Sequence, residues 1–324
     1  MSKSICVTRA IPDVGLSMLT ARGYDVDVNP DDAPLNHEKV VALLRKKPYD
    51  AALTLLTDPI DAAVFDAVPN IKLYANYASG FDNIDLVEAK KRGIIVTNAP
   101  APLTNEAVAE HTIALMLALA ARIVEADQFV RDGKYQGWSP MNFIGTDILG
   151  KTLGLVGAGR IGQQVAHYAR GLGMNVLYTD ITRNNDIEKA SGATYCESVE
   201  KLLPQVDVVS LHVPLLKSTY HLMNDARLRL MKPTAFLINT SRGPVVEEAA
   251  LEKALKKSVI AAAALDVFEF EPRVSPGLVA LQNVILTPHI ASASINTRNQ
   301  MATIAAQNII DFFEGRQPKY IVNS

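Results

Sequence analysis

Thr152-Leu153-Gly154-Leu155-Val156-Gly157-Ala158-Gly159-Arg160-Ile161-Gly162 is the stretch that decides the fold. An apolar run of strand length ends in three glycines at GxGxxG spacing, and a helical pattern carrying Val165, Ala166 and Ala169 follows. One glycine permits the tight turn, one lets the backbone approach a pyrophosphate, and one allows close helix–strand packing. The helix N-terminus then offers unpaired N–H groups and a positive dipole end to the anion. Asp180 closes the next apolar run eighteen residues after Gly162, near the ~20 expected of an acid that binds ribose hydroxyls. The unit therefore reads as βαβ with a dinucleotide site at Gly157, Gly159, Gly162 and Asp180. A carboxylate at 180 accepts from ribose hydroxyls and repels a 2′-phosphate, and one lost charge-assisted hydrogen bond costs roughly 1.5–3 kcal/mol. NAD(H) is expected, with NADP(H) weaker or not used; Arg183 is read as a solvated loop charge.

Outward from this unit, short apolar runs alternate with helical patterns along the whole chain, the signature of α/β architecture with parallel sheets. Five candidate strands come first: Ser4–Thr8, Tyr24–Val28, Asp50–Thr54, Ile71–Tyr74 and Gly93–Thr97. Six follow: Thr152–Val156, Asn175–Thr179, Val206–Ser210, Thr234–Ile238, Ile260–Leu265 and Asn283–Leu286. Two doubly wound parallel sheets are expected, and 324 residues exceed the roughly 250–300 that one core supports. Asn98-Ala99-Pro100-Ala101-Pro102 reads as an extended hinge, because each proline biases its predecessor away from helix. A helix N-capped by Thr104 is expected to run to about Val124, and another from about Arg298 to Glu314, stopped by Gly315. Periodicity leaves open whether that last helix caps the second sheet or crosses back to the first.

Composition narrows the partners. With 32 Lys+Arg against 34 Asp+Glu and a net charge of −2, the chain has no electrostatic footprint for nucleic acid or an anionic membrane. The longest apolar stretch, Thr112–Ala121, is half of the ~20 residues a span needs. No signal peptide is visible at Met1–Arg9, and two distant cysteines, Cys6 and Cys196, suit a reducing, cytoplasmic setting. The six histidines form no HExxH or comparable cluster, so no metal is expected.

Three polar residues fall just past strands of the second group, where open α/β sheets place ligands. Arg242 lies in Asn239-Thr240-Ser241-Arg242-Gly243-Pro244, Glu271 precedes Pro272, and His289 lies in Thr287-Pro288-His289. The guanidinium fork suits a carboxylate bidentately, and histidine is the natural proton donor near neutral pH. Spacing alone leaves a structural role open for each.

Over nearly its whole length the sequence resembles the D-isomer-specific 2-hydroxyacid dehydrogenases. The resemblance rests on Asn76–Asp85, Asn105–His111, Leu149–Gly162, His212-Val213-Pro214-Leu215, Ile238–Gly243, Leu265–Phe268 and Thr287–Ala291. It implies a flavodoxin-like substrate domain and a Rossmann cofactor domain with an active-site cleft between them. The domains would span 1–100, 101–290 and a returning helix in 291–324. It implies Arg242, Glu271 and His289 as catalytic residues. Cofactor contacts would come from Thr104, Gly157, Gly159, Arg160, Ile161, Gly162, Asp180, Val213, Pro214, Thr240, Ser241, Arg242, Asp266 and His289, and substrate contacts from Ala78, Ser79, Gly80, Arg242 and His289. Within the family, Gly80–Asp85 and Trp138 look most like glyoxylate/hydroxypyruvate reductases, which implies reduction of a small 2-oxo acid and a homodimer. Phosphoglycerate dehydrogenase and a non-catalytic NADH-sensing co-regulator are the alternatives.

Overall fold

The computed structural model describes residues 2–324, and the chain divides into two compact units, 1–104 with 293–324, and 105–292. In the first unit, β1 (Ser4–Val7), β2 (Asp25–Val28), β3 (Ala51–Leu55), β4 (Leu73–Tyr77) and β5 (Ile95–Thr97) form a parallel sheet in the order β2-β1-β3-β4-β5. This is the flavodoxin-like winding, whose direction reverses between β1 and β3. Strands covered by helices on both faces read as continuous apolar runs, and β1, β3 and β4 are buried almost throughout.

The C-terminal helix, Ile295–Phe313, belongs to this unit: Met301, Ala302, Ala305, Ala306 and Ile309 share a core cluster with Ile5, Leu53 and Ala75. Small residues bring it against the first helix, Asp13–Thr20; a Cβ on Gly15 would lie 2.8 Å from the Ala302 carbonyl oxygen. Its N-cap is Ser294, which accepts from the Thr297 amide, and Gly315 stops it at φ 74°. The chain then adds Ile321 beside Thr97 as an antiparallel bridge.

The second unit holds β6 (Thr152–Val156), β7 (Asn175–Thr179), β8 (Thr194–Tyr195), β9 (Val208–Leu211), β10 (Phe236–Asn239), β11 (Ala262–Leu265) and β12 (Val284–Leu286). Their order is β12-β11-β10-β9-β6-β7-β8, parallel throughout. That is the Rossmann winding extended by one strand, reversing between β6 and β9. The two-residue β8 at the edge escapes the apolar pattern.

The long helix differs from its expected course. It covers Leu103–Ala120, breaks at Arg122 with φ 54°, and resumes as Ile123–Arg131. The Thr146 amide donates to the Ala120 carbonyl at 2.8 Å, so a distant loop captures an oxygen that continued helix would use. Thr104 lies inside the first turn rather than capping it. Among the described residues no single helix is long and apolar enough to cross a membrane; these two pass on length and composition only as a pair bent by 64°.

Candidate active site

The phosphate loop follows β6. Gly157 adopts φ 100°, and a Cβ there would lie 2.4 Å from the His212 carbonyl oxygen at the end of β9, so only glycine fits. Gly162 packs the following helix onto the loop, its Cβ position 2.3 Å from the Gly157 oxygen, whereas Gly159 faces open space. The helix Arg160–Gly171 starts at Gly159 with no side-chain cap, which leaves first-turn N–H groups for an anion. Asp180 is tied to the same loop: its carboxylate accepts from the Ala158 amide at 2.7 Å and its neighbour Ile181's at 2.6 Å. Arg183 is engaged elsewhere, donating from Nε and Nη2 to Glu188 at 2.8 Å each; with Tyr178 it holds that carboxyl at about 2. A dinucleotide fits this cradle: a loop that a Cβ would block, an uncapped helix start, and an acid anchored beside them.

His212 lies against the loop. Its Nε2 is 2.9 Å from Ser210 Oγ, its Nδ1 is buried without a partner, and burial pushes its pKa down to about 4.

Three neighbouring strands, β10, β11 and β12, deliver the other polar residues at their C-terminal ends. Past β10, fully buried Asn239 shapes the turn: Nδ2 donates to the Arg242 carbonyl at 2.9 Å, and Oδ1 accepts from the Ser241 amide and hydroxyl at 3.0 and 2.7 Å. Gly243 packs on the loop after β11 so tightly that a Cβ would fall 1.8 Å from the Phe268 oxygen. Past β11, Glu271 accepts from the Phe268 amide at 3.0 Å through Oε1, and its peptide to Pro272 is cis. Past β12, His289 Nδ1 stands 3.0 Å from Glu271 Oε2. Burial raises the Glu271 pKa, but the His289 hydrogen bond and charge, the Phe268 amide and the Arg242 charge outweigh it and hold the carboxyl below its ordinary value.

His289 has φ 54°, a conformation a β-substituted residue keeps only when its surroundings impose it. Asp266 supplies that constraint. Its carboxylate, wholly buried, accepts from the Thr287 hydroxyl at 2.6 Å and from the Ile290 and Ala291 amides at 2.9 and 2.8 Å, while its carbonyl accepts from the His289 amide at 2.9 Å. Burial raises the Asp266 pKa, but His111, its Nε2 3.5 Å from Oδ1, together with the Thr287 hydroxyl and the Ile290 and Ala291 amides outweighs it and holds the carboxyl below its ordinary value.

The other residues singled out from sequence are distributed as follows. Arg160 and Ile161 open the phosphate-loop helix, and Val213 and Pro214 follow His212 after β9. Thr240 Oγ1 pairs with Thr112 Oγ1 at 2.9 Å, and Ser241 is held by Asn239. Thr104 and the loop Ala78-Ser79-Gly80 belong to the first unit; Thr104 Oγ1 and Ser79 Oγ are buried without partners. Sequence reasoning passed over His111, whose Nε2 is 3.2 Å from Thr287 Oγ1, and Asn239. An Asn-Thr-Ser run at a strand end is itself a turn signal that points to the second.

A Rossmann sheet with this cradle, and a His–carboxylate pair beside an arginine at its strand ends, defines a nicotinamide-dependent oxidoreductase. The family model described as D-isomer specific 2-hydroxyacid dehydrogenase, NAD binding domain, matches residues 113–291. The chain is 51% identical over 326 residues to a glyoxylate reductase of Korarchaeum cryptofilum, covering 100% of this chain and 96% of that one. A crystal structure of a Thermus thermophilus protein superposes with a TM-score of 0.91 at 40% identity, covering 98% and 99% of the two chains. An NADPH-dependent glyoxylate/hydroxypyruvate reductase from Sinorhizobium meliloti gives 0.85 at 31% identity over 99% and 97%. The chain belongs to the D-isomer-specific 2-hydroxyacid dehydrogenase family.

Proposed function

We propose that this chain reduces a small 2-oxo acid, glyoxylate or hydroxypyruvate, to the D-2-hydroxy acid with NADH. The observation that carries the chemistry is the 3.0 Å contact from His289 Nδ1 to Glu271. It fixes the ring tautomer with Nδ1–H donating and leaves Nε2 as the atom for proton transfer. When bound, the reduced nicotinamide supplies a hydride to C2. His289 Nε2 donates the proton that the carbonyl oxygen takes up as it becomes a hydroxyl, and Arg242 stabilises the charge developing on that oxygen. Arg242 also pairs with the substrate carboxylate, and Ser79 and Gly80 are proposed as substrate contacts through their amides. Asp266 holds the backbone that aims His289.

Similarity to glyoxylate reductases over the full chain supports the substrate. NADH over NADPH is supported by Asp180 anchored at the loop and by Arg183 committed to Glu188, although one structural neighbour is NADPH-dependent. The helix Ile123–Arg131 buries no residue, and Trp138, Met141 and Leu149 are 85%, 74% and 75% exposed. Such an apolar stretch supports a homodimer through residues 123–149, which light scattering checks. Two buried free cysteines, Cys6 and Cys196, are compatible with the cytoplasm, where we place the protein.

The deciding experiment compares kcat/KM for glyoxylate, hydroxypyruvate, pyruvate and phosphohydroxypyruvate with each dinucleotide. A lead by either of the first two with NADH supports the assignment. A lead by another acid moves the substrate, and no turnover despite dinucleotide binding replaces catalysis with dinucleotide sensing.

A further inference from the structure

The loop Ala78-Ser79-Gly80 is held in an unusual way. The Ala99 amide donates to the Ala78 carbonyl at 2.8 Å, Asn98 Nδ2 to the Ser79 carbonyl at 2.7 Å, and Asn76 Nδ2 to the Gly80 carbonyl at 3.1 Å. Three successive carbonyls are thus bound by Asn76 of β4 and by Asn98 and Ala99 just past β5. In a planar trans peptide the N–H of the next residue points opposite to the carbonyl, so the Ser79, Gly80 and Phe81 amides are turned to the other side. Among the described residues none of the three donates to a protein acceptor, and Ser79 Oγ is buried without a partner. Consecutive amides without a protein acceptor are available to an anion.

Asn76, at the end of β4 and fully buried, uses every polar position it has. Oδ1 accepts from Thr54 Oγ1 at 3.1 Å, and the second Nδ2 hydrogen goes to Asn83 Oδ1 at 3.1 Å. Asn83 in turn donates both amide hydrogens, to the Leu55 and Asp58 carbonyls at 3.0 and 2.9 Å. The side chain that orients the Gly80 peptide is therefore locked by the strand-end segment after β3.

We propose that Asn76, braced by Asn83, is a positioning residue for the substrate carboxylate: it fixes the Gly80 peptide so that the unpaired amides of the loop stay open to the anion. This inference rests on the reduction of a 2-oxo acid argued above.

The test is Asn76→Asp, which keeps the shape and replaces the donor by an oxygen facing two acceptors. KM for glyoxylate and Ki for oxamate rise together by roughly ten-fold, while kcat stays within about three-fold, the pattern of lost ground-state binding. NADH affinity, measured by fluorescence titration, is unchanged because that site lies in the other unit. Asn83→Ser, which introduces no charge and leaves the Gly80 bond in place, shifts KM and Ki in the same direction by a smaller factor, and it decides the matter if the aspartate variant does not fold. Folded variants with unaltered KM and Ki, or with kcat and melting temperature falling at constant KM, overturn the positioning role while the assigned reaction stands. A parent enzyme that turns over no 2-oxo acid overturns that reaction and this inference with it.

Discussion

His212 makes the protein acid-labile by an amount that can be worked out. Its ordinary pKa of 6.5 falls to about 4 in the fold because burial disfavours the imidazolium and Nδ1 has no partner. The unfolded chain therefore takes up the proton first. Stability that is complete above the unfolded value is lost as pH drops from 6.5 towards 4. Linkage between about pH 7.5 and about pH 5 gives a loss of about 2 kcal/mol from this one group, an upper figure because the residue is only part-buried. Replacing His212 with Gln keeps a polar atom near Ser210 Oγ and removes the titration. Urea unfolding of parent and variant at both pH values, followed by far-ultraviolet circular dichroism, measures the difference. The parent should lose about 2 kcal/mol more than the variant across the interval. Comparing variants cancels the contributions of other titrating groups, among them Asp58 and Glu248, whose pKa values burial raises. Parallel pH dependences for the two proteins would refute the reasoning and place a water or polar group on Nδ1.

At Gly157, alanine meets both a positive φ and the His212 carbonyl, so Gly157→Ala should weaken NADH binding at least about a hundred-fold, read by fluorescence titration. Asp180→Ala should raise the NADPH:NADH ratio of kcat/KM by roughly ten-fold or more, since it removes a charged acceptor worth about 1.5–3 kcal/mol; an unchanged ratio removes Asp180 from cofactor choice. His289→Asn should lower kcat by about two to four orders of magnitude with NADH affinity retained, and Glu271→Gln should cost roughly ten- to a hundred-fold in kcat. Steady-state kinetics beside dinucleotide titration separates these losses from simple unfolding.

The strands were legible because burial on both faces leaves them continuous and apolar: β6 and β7 have the bounds read from sequence. β8 was not, since two residues at a sheet edge carry no periodicity. The long helix was read past its end because the group that breaks it, the Thr146 amide on the Ala120 oxygen, arrives from a loop with no local trace near Arg122. At the site, the chemistry of Arg242, Glu271 and His289 was visible as polar residues at strand ends, but not the contact between the last two. Their meeting depends on β11 and β12 being neighbours and on Asp266 bending the chain at His289. Asn76 was hidden for another reason: inside a buried strand an asparagine looks like a packing compromise until its three partners are known.

The discontinuity of the first unit bears on how the protein is made. Residues 1–104 leave the ribosome early, yet the helix Ile295–Phe313 that completes their core emerges only after all of 105–292. Until then Ile5, Leu53 and Ala75 lack the apolar surface that covers them in the finished fold. The Rossmann unit, contiguous in sequence, can finish first, whereas the flavodoxin-like sheet keeps apolar surface uncovered until the last helix emerges, and is the part more exposed to aggregation during synthesis.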